Sequence, residues 1–166
     1  MDATTETIAE MKSSVSIFLS SMVAIMLSAC SGKTIYSEYY DLPLGGWEAD
    51  SSLSYSFQIA DSSGEYDVFI LFRHTQAYPY QNVWLFVDFL KGDILQQTDT
   101  IEFYLADEHG RWLGNGYGNV REMPVIYDAH RIFPTDSCSF VIRQGMREEK
   151  LKGVSSVGMK ILKSRK

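Results

Sequence analysis

The sequence is short of the residues that build most recognisable reaction centres and cross-linked scaffolds. It has 2 cysteines, 3 histidines and 4 prolines in 166 residues. Two cysteines exclude a disulfide framework as the basis of the fold. The histidines, His74, His109 and His130, stand far apart in the chain. None forms the close ligand pair by which a zinc site is recognised, so no metal and no other cofactor is expected. Positive charge is scarce as well: 15 Lys and Arg face 21 Asp and Glu, a formal net charge of −6. Phosphate backbones are held by clustered Lys and Arg, so nucleic acid is excluded as a partner. The one basic cluster, Lys160, Lys163, Arg165 and Lys166, reads as a solvated terminus.

A membrane-spanning run is missing too. The most apolar stretch, Val15 to Ala29, is broken by Ser16, Ser20, Ser21 and Ser28. It is too short and too interrupted to cross a bilayer, and it fits a removed signal peptide better. Its end, Leu27, Ser28, Ala29 and Cys30, has the form of a bacterial lipobox: a branched apolar residue, two small residues, and a cysteine whose sulfur takes a diacylglyceryl group. Cleavage before Cys30 leaves a new amino group for further acylation with a chain such as palmitate. Met1 to Met11 carries Asp2, Glu6 and Glu10 and no base before Lys12, the reverse of a signal-peptide start, so Met11 is read as the true start. The expected organisation is a signal peptide over residues 1–29, a lipid-anchored tether over 30–40 and one domain over 41–166, a typical length for a domain with a real core.

What the remainder does contain is alternation. Leu53, Tyr55, Phe57 and Ile59 face one way and Ser52, Ser54, Ser56 and Gln58 the other, the signature of a half-buried strand. Tyr66 to Arg73 is apolar on both faces and reads as a central strand. Asn82 to Leu90 sets Val83, Leu85, Val87 and Phe89 against Trp84 and Phe86. Ile101, Phe103 and Leu105 alternate with Thr100, Glu102 and Tyr104; Phe140 and Ile142, then Val157, Met159 and Ile161, continue the pattern. Pro43, Pro79, Pro124 and Pro134 fall outside the clearest strands. No helical stretch intervenes. The expected fold is all-β, two packed antiparallel sheets forming a β-sandwich of jelly-roll or immunoglobulin-like order.

Catalytic chemistry finds no support. Serine, histidine and aspartate occur without a strained nucleophile turn. Asp99 and Glu102, three apart on a strand, point to opposite faces and do not make a carboxylate pair. Gly114, Gly116 and Gly118 lack the βαβ surroundings of a nucleotide loop. Cys138, without a partner once Cys30 carries lipid, reads as a small buried residue. The run Arg147, Glu148, Glu149 and Lys150 reads as a solvated turn. No enzyme is expected.

Several runs carry a resemblance that extends over nearly the whole mature domain. They are Tyr78–Trp84, Asp99–Glu102, Gly110–Gly116, Gln144–Arg147 and Leu151–Val154 with Val157 and Gly158, together with the lipobox in the matching place. These resemble the gliding-motility lipoprotein GldH family of the Bacteroidota. The resemblance implies an outer-membrane lipoprotein associated with gliding and the type IX secretion machinery, working through envelope protein partners and without a catalytic residue. Ser31, Gly32 and Lys33 lack the acidic run associated with surface export in that phylum, so the resemblance implies a domain facing the periplasm.

The segment Asp107 to Asn119 is too long and glycine-rich for a minimal hairpin, and long loops of compact domains are commonly functional. It carries Arg111, Trp112 and Tyr117, types that interface centres favour. Alternatively Trp112 turns inward and plugs one end of the domain. The candidate partner or ligand surface is accordingly Tyr78, Tyr80, Arg111, Trp112, Asn115, Tyr117 and Arg147. Exposed aromatics in such loops also suit a carbohydrate platform, so a cell-envelope glycan is the competing ligand.

Overall fold

The structure, a computed structural model, describes residues 33–165. The apolar run, the lipobox and Cys30 lie outside the described residues. Every regular element that is described is a strand: β1 (Thr34–Asp41), β2 (Trp47–Glu48), β3 (Leu53–Gln58), β4 (Tyr66–Thr75), β5 (Asn82–Lys91), β6 (Ile94–Tyr104), β7 (Asn115–Tyr117), β8 (Val120–Arg131), β9 (Ser137–Gln144), β10 (Lys150–Leu151) and β11 (Val154–Lys163). All pairings are antiparallel. One sheet has the order β1-β11-β4-β8-β7, a second β3-β9-β5-β6, and β10-β2 forms a small third.

The alternation read from the sequence sets which side chains go inward. In β3, Leu53, Tyr55 and Phe57 are buried and Ser54, Ser56 and Gln58 exposed. Val83, Leu85, Val87 and Phe89 of β5 and Cys138, Phe140 and Ile142 of β9 join them in one core with Val68, Ile70 and Phe72 of β4 and Val157, Met159 and Ile161 of β11. Contacts run between the two larger sheets. The Tyr55 hydroxyl donates to the Val157 carbonyl at 2.8 Å. Phe72 meets Phe103 edge-on at 5.9 Å, and Tyr127 meets Phe140 at 5.7 Å. Burying that hydroxyl without the carbonyl would leave a polar group stranded, so this hydrogen bond also fixes how the sheets register.

Two expectations are corrected. Residues 34–40, assigned to the tether, form most of β1, which pairs with β11 from Thr34↔Leu162 to Asp41↔Ser156. Its polar composition suits an edge strand, whose outer face meets water, while Tyr36 turns inward onto Phe57 at 5.6 Å. Pro124 lies within β8 rather than outside the strands, opposite Leu71. β7 covers β8 only from Val120 to Glu122, so beyond that point β8 is an edge, where a residue without an N–H is tolerated.

The connections sort into two ends. Thr34, the end of β11, and the connections 59–65, 92–93 and 132–136 lie at one end. Connections 42–52, 76–81, 105–114 and 145–153 lie at the other. Every residue of the candidate surface belongs to this second end.

Candidate functional site

The geometry at the second end begins with Gln144, the buried last residue of β9. Its side-chain nitrogen donates to the Glu148 carbonyl at 2.7 Å, and its oxygen accepts the Met146 N–H at 2.9 Å. One amide therefore folds the 145–149 turn back on itself. The Gly145 N–H extends the ladder to the Trp84 carbonyl at 2.7 Å, and the Trp84 N–H points at the Met146 sulfur, 3.3 Å away. The turn is thus tied to the start of β5, and the two enclose a cleft of about 510 Å³ lined by Tyr80, Asn82, Trp84, Gly145, Met146 and Arg147.

Each side chain in the cleft has a reason for its pose. The Tyr80 hydroxyl donates to Glu148, which raises the pKa of that phenol. Asn82 donates to Glu102 at 2.6 Å across the β5–β6 pair. Trp84 projects from the outer face of β5, 39% exposed, and Phe86 beside it is 37% exposed. The Arg143 guanidinium lies 6.0 Å from the Phe86 ring centre and is held by Asp88 at 2.7 Å. Arg147 is exposed and, among the described residues, has no ionic or hydrogen-bonded partner. Aromatic rings, a thioether and an unpaired guanidinium, here rimmed by held carboxylates, are residue types enriched at interface centres.

Of the sequence candidates, Tyr80 and Arg147 share this cleft. Tyr78 does not: it is 3% exposed, packed on Phe72 and His74, with its hydroxyl on the Asn82 carbonyl at 2.9 Å. It offers no surface, and Gly153 packs so closely on its backbone that a Cβ there would collide. Trp112 is half-buried, with its ring 4.5 Å from that of His74. Arg111 is exposed beside it and bound to Asp107 at 2.8 Å. Asp107 also accepts the His109 and Arg111 N–H groups, each at 2.9 Å, and these bonds lower its pKa, that from the Arg111 N–H foremost. The Asp107–Asn119 segment is therefore built rather than loose, with an Ala106↔Trp112 bridge and β7 inside it. Asn115 lines a different groove with Arg73 and Glu122. Tyr117 pairs by its backbone with Val120, and its side chain lies outside the described part of the structure.

Trp84, Phe86 and Met146 are the residues that sequence reasoning missed. The signal was available: Trp84 and Phe86 occupy the outward phase of β5, where the facing positions of β6 are Glu102 and Thr100. Large aromatics among polar neighbours on a solvent face are a surface feature, not a core one. Cys138 is buried, and burial pushes its thiol up. Among the described residues no group of three His, Cys, Asp or Glu is placed to hold a metal ion.

A family model described as GldH lipoprotein matches residues 34–161. The chain is 32% identical over 164 residues to a gliding motility lipoprotein GldH homolog of Christiangramia forsetii, covering 93% of this chain and 99% of that relative. It is 28% identical over 147 residues to the gliding motility lipoprotein GldH of Flavobacterium johnsoniae, covering 84% of this chain and 91% of that one. Among solved structures, dimeric latent PorU from Porphyromonas gingivalis aligns with a TM-score of 0.35 at 9% identity, over 82% of this chain and 14% of its own. The ANX2 ectodomain from Arabidopsis thaliana aligns at 0.37 and 14% identity, over 78% and 33%. Likenesses at these scores carry no argument.

Proposed function

This chain belongs to the GldH lipoprotein family, and from that premise we propose that it is a non-enzymatic component or accessory of the gliding-motility and type IX secretion machinery, acting through protein–protein contacts. In this reading Cys30 is the lipid attachment site, the outer membrane is the location and the domain faces the periplasm. The strand order supports a jelly-roll sandwich over the immunoglobulin-like alternative. Setting aside the three short strands, the eight long ones run first-eighth-third-sixth in one sheet and second-seventh-fourth-fifth in the other, the arrangement of two Greek keys.

The observation that carries the reading is the place of the cleft. Tyr80, Trp84, Met146 and Arg147 sit at the end remote from Thr34, so a domain held by its N-terminus presents them away from its anchor. Trp and Arg are the types on which interface energy concentrates, and here the ring is exposed and the guanidinium unpaired. The test is co-purification of envelope proteins with the lipidated full chain. Trp84→Ala with Arg147→Ala should abolish specific recovery while leaving the melting temperature unchanged, whereas undiminished recovery would dismiss the cleft as the contact site.

A second reading, a cell-envelope glycan, is favoured by one feature: the Trp84 ring stands next to the hydrogen-bonded Asn82–Glu102 pair. A flat ring flanked by planar polar groups suits the apolar face and hydroxyls of a sugar. Saturable binding on a glycan array that Trp84→Ala abolishes would select this reading over the first.

A further inference from the structure

The end of the domain opposite the cleft carries a group of exposed aliphatic side chains. Ile94 is 68% exposed and Leu95 57%, at the tip of the β5–β6 hairpin; Ile132, in the connection after β8, is 62% exposed. Leu90, half-buried, pairs with Leu95 across the hairpin and extends the apolar surface inward. The segments are tied to one another: the Gly92 N–H donates to the Ser137 carbonyl at 2.8 Å, Lys91 meets Asp136 at 2.8 Å, and Arg131 reaches Gln97 at 3.3 Å. Large aliphatics at a hairpin tip gain nothing from water.

The chain leaves the domain at this same end. Lys33 is fixed there by its carbonyl, which accepts the Lys163 N–H at 3.0 Å. Only Ser31 and Gly32 separate Lys33 from Cys30, and that span is about 10 Å when fully extended. We propose that this end rests on the membrane, with Ile94, Leu95 and Ile132 seated among the lipid headgroups. The proposal rests on the reading of Cys30 as the lipid attachment site. A tether so short holds the hairpin tip against the bilayer surface, so the cost of bringing the two together is met by the anchor.

The charges at this end do not oppose such contact. Lys163 is paired with Asp61 at 2.9 Å, Lys91 with Asp136, and His130 with Glu65 at 2.9 Å. Arg131 meets Asp128 at 2.7 Å, and the other described charges here, Lys33 and Arg165 against Asp67 and Asp93, offset one another in sign. A mostly paired, nearly balanced rim suits zwitterionic headgroups and gives no preference for anionic ones. At the other end Leu44 and Tyr104 are also exposed, but the topology places them a full strand length from Lys33, beyond the reach of the tether.

The test uses the lipidated full chain in phosphatidylethanolamine-rich vesicles. An environment-sensitive fluorophore is attached at Asp93→Cys or, as the control, at Leu44→Cys. Flotation of each sample reports the anchor separately. Spin-labelled lipids with the label near the headgroup should quench the probe at 93 severalfold more than the probe at 44. Adding Ile94→Asp, Leu95→Asp and Ile132→Asp should lower the quenching at 93 severalfold, toward that at 44, without releasing the protein. Equal quenching at both positions in protein that floats, or quenching at 93 indifferent to the three substitutions, would overturn the proposal and leave the anchor standing. Protein that does not float overturns the anchor reading and this proposal with it.

Discussion

The indole of Trp112 lies 4.5 Å from the imidazole of His74, a histidine that is completely buried in β4. The ring closes the second end of the core over that histidine while Arg111, next in the chain, stays in solvent on its bond to Asp107. Removing the indole would uncover His74 and leave a void that the Asp107-bonded turn is too rigid to fill. Trp112→Ala should cost about 3 kcal/mol, the low end for a tryptophan because the ring is only half-buried. Urea unfolding checks it, and a loss below about 0.5 kcal/mol would show the indole to be superficial.

His74 should make the domain sensitive to mild acid. Its Nδ1 lies 3.1 Å from the Thr75 carbonyl and so carries the proton there, while Nε2 is buried without a partner. Burial, the main cause, holds its pKa below the usual value of 6.5. Above pH 6.5 the ring is neutral in both folded and unfolded chains. As the pH falls below 6.5 the unfolded chain binds a proton that the folded one refuses, and stability declines until the folded pKa is passed. Melting temperature should therefore drop between pH 7 and pH 5, and His74→Phe should flatten that part of the profile. A wild-type profile already flat over this window would contradict the argument.

The core strands were legible because each has one dry and one wet face. The Leu53–Gln58 alternation maps directly onto burial, as does that of Val83–Phe89. β1 and β8 were not legible for the converse reason: both are edge strands, half-covered along much of their length, and their sequences, TIYSEYYD and VREMPVIYDAHR, show no clean period. β8 also carries Pro124, which argues against a strand until its open edge is known. In the cleft, Tyr80 and Arg147 stand among the sequence candidates because they lie in connections, where aromatic and cationic side chains are expected to be exposed. Trp84 sits inside a strand, and only the outward phase of β5, compared with its neighbour β6, distinguishes it from core.

Gly158 should not tolerate a side chain. It lies in β11 under the Tyr39 ring, and a Cβ there would sit 2.5 Å from the ring edge. Tyr39 is in turn capped by the Arg73 guanidinium at 3.9 Å, and both reach Glu122, at 3.0 and 2.6 Å. Gly158→Ala pushes the ring off its neighbour and disperses this cluster, at a cost of about 1–3 kcal/mol. Gly158→Ala combined with Tyr39→Ala should recover part of the loss, since the clash goes with the ring. Additive losses in the double mutant would refute the steric account.

Arg131 should behave as packing more than as charge. Its guanidinium lies 4.2 Å from the Phe89 ring centre and within 6 Å of Phe133 and Phe140, so it fills the space between the sheets at the tether end. The side chain is only 14% exposed, whereas its ion-pair partner Asp128, at 2.7 Å, is 35% exposed and keeps access to water. Losing the cation therefore leaves a carboxylate that solvent can satisfy, while losing the stem leaves three rings facing a void. Arg131→Ala should cost about 3 kcal/mol, in the range of a large core truncation. Arg131→Lys keeps the charge but replaces a flat, weakly hydrated group with a strongly hydrated point charge over Phe89, and should cost about 1–2 kcal/mol. Arg131→Met keeps the stem volume and should cost least, within about 1 kcal/mol of wild type, because burying a charge gains little over burying a thioether of similar size. The order Ala, Lys, Met in decreasing cost is read from chemical denaturation of the three variants. A methionine variant as damaged as the alanine one would show instead that the ion pair with Asp128 holds this end together.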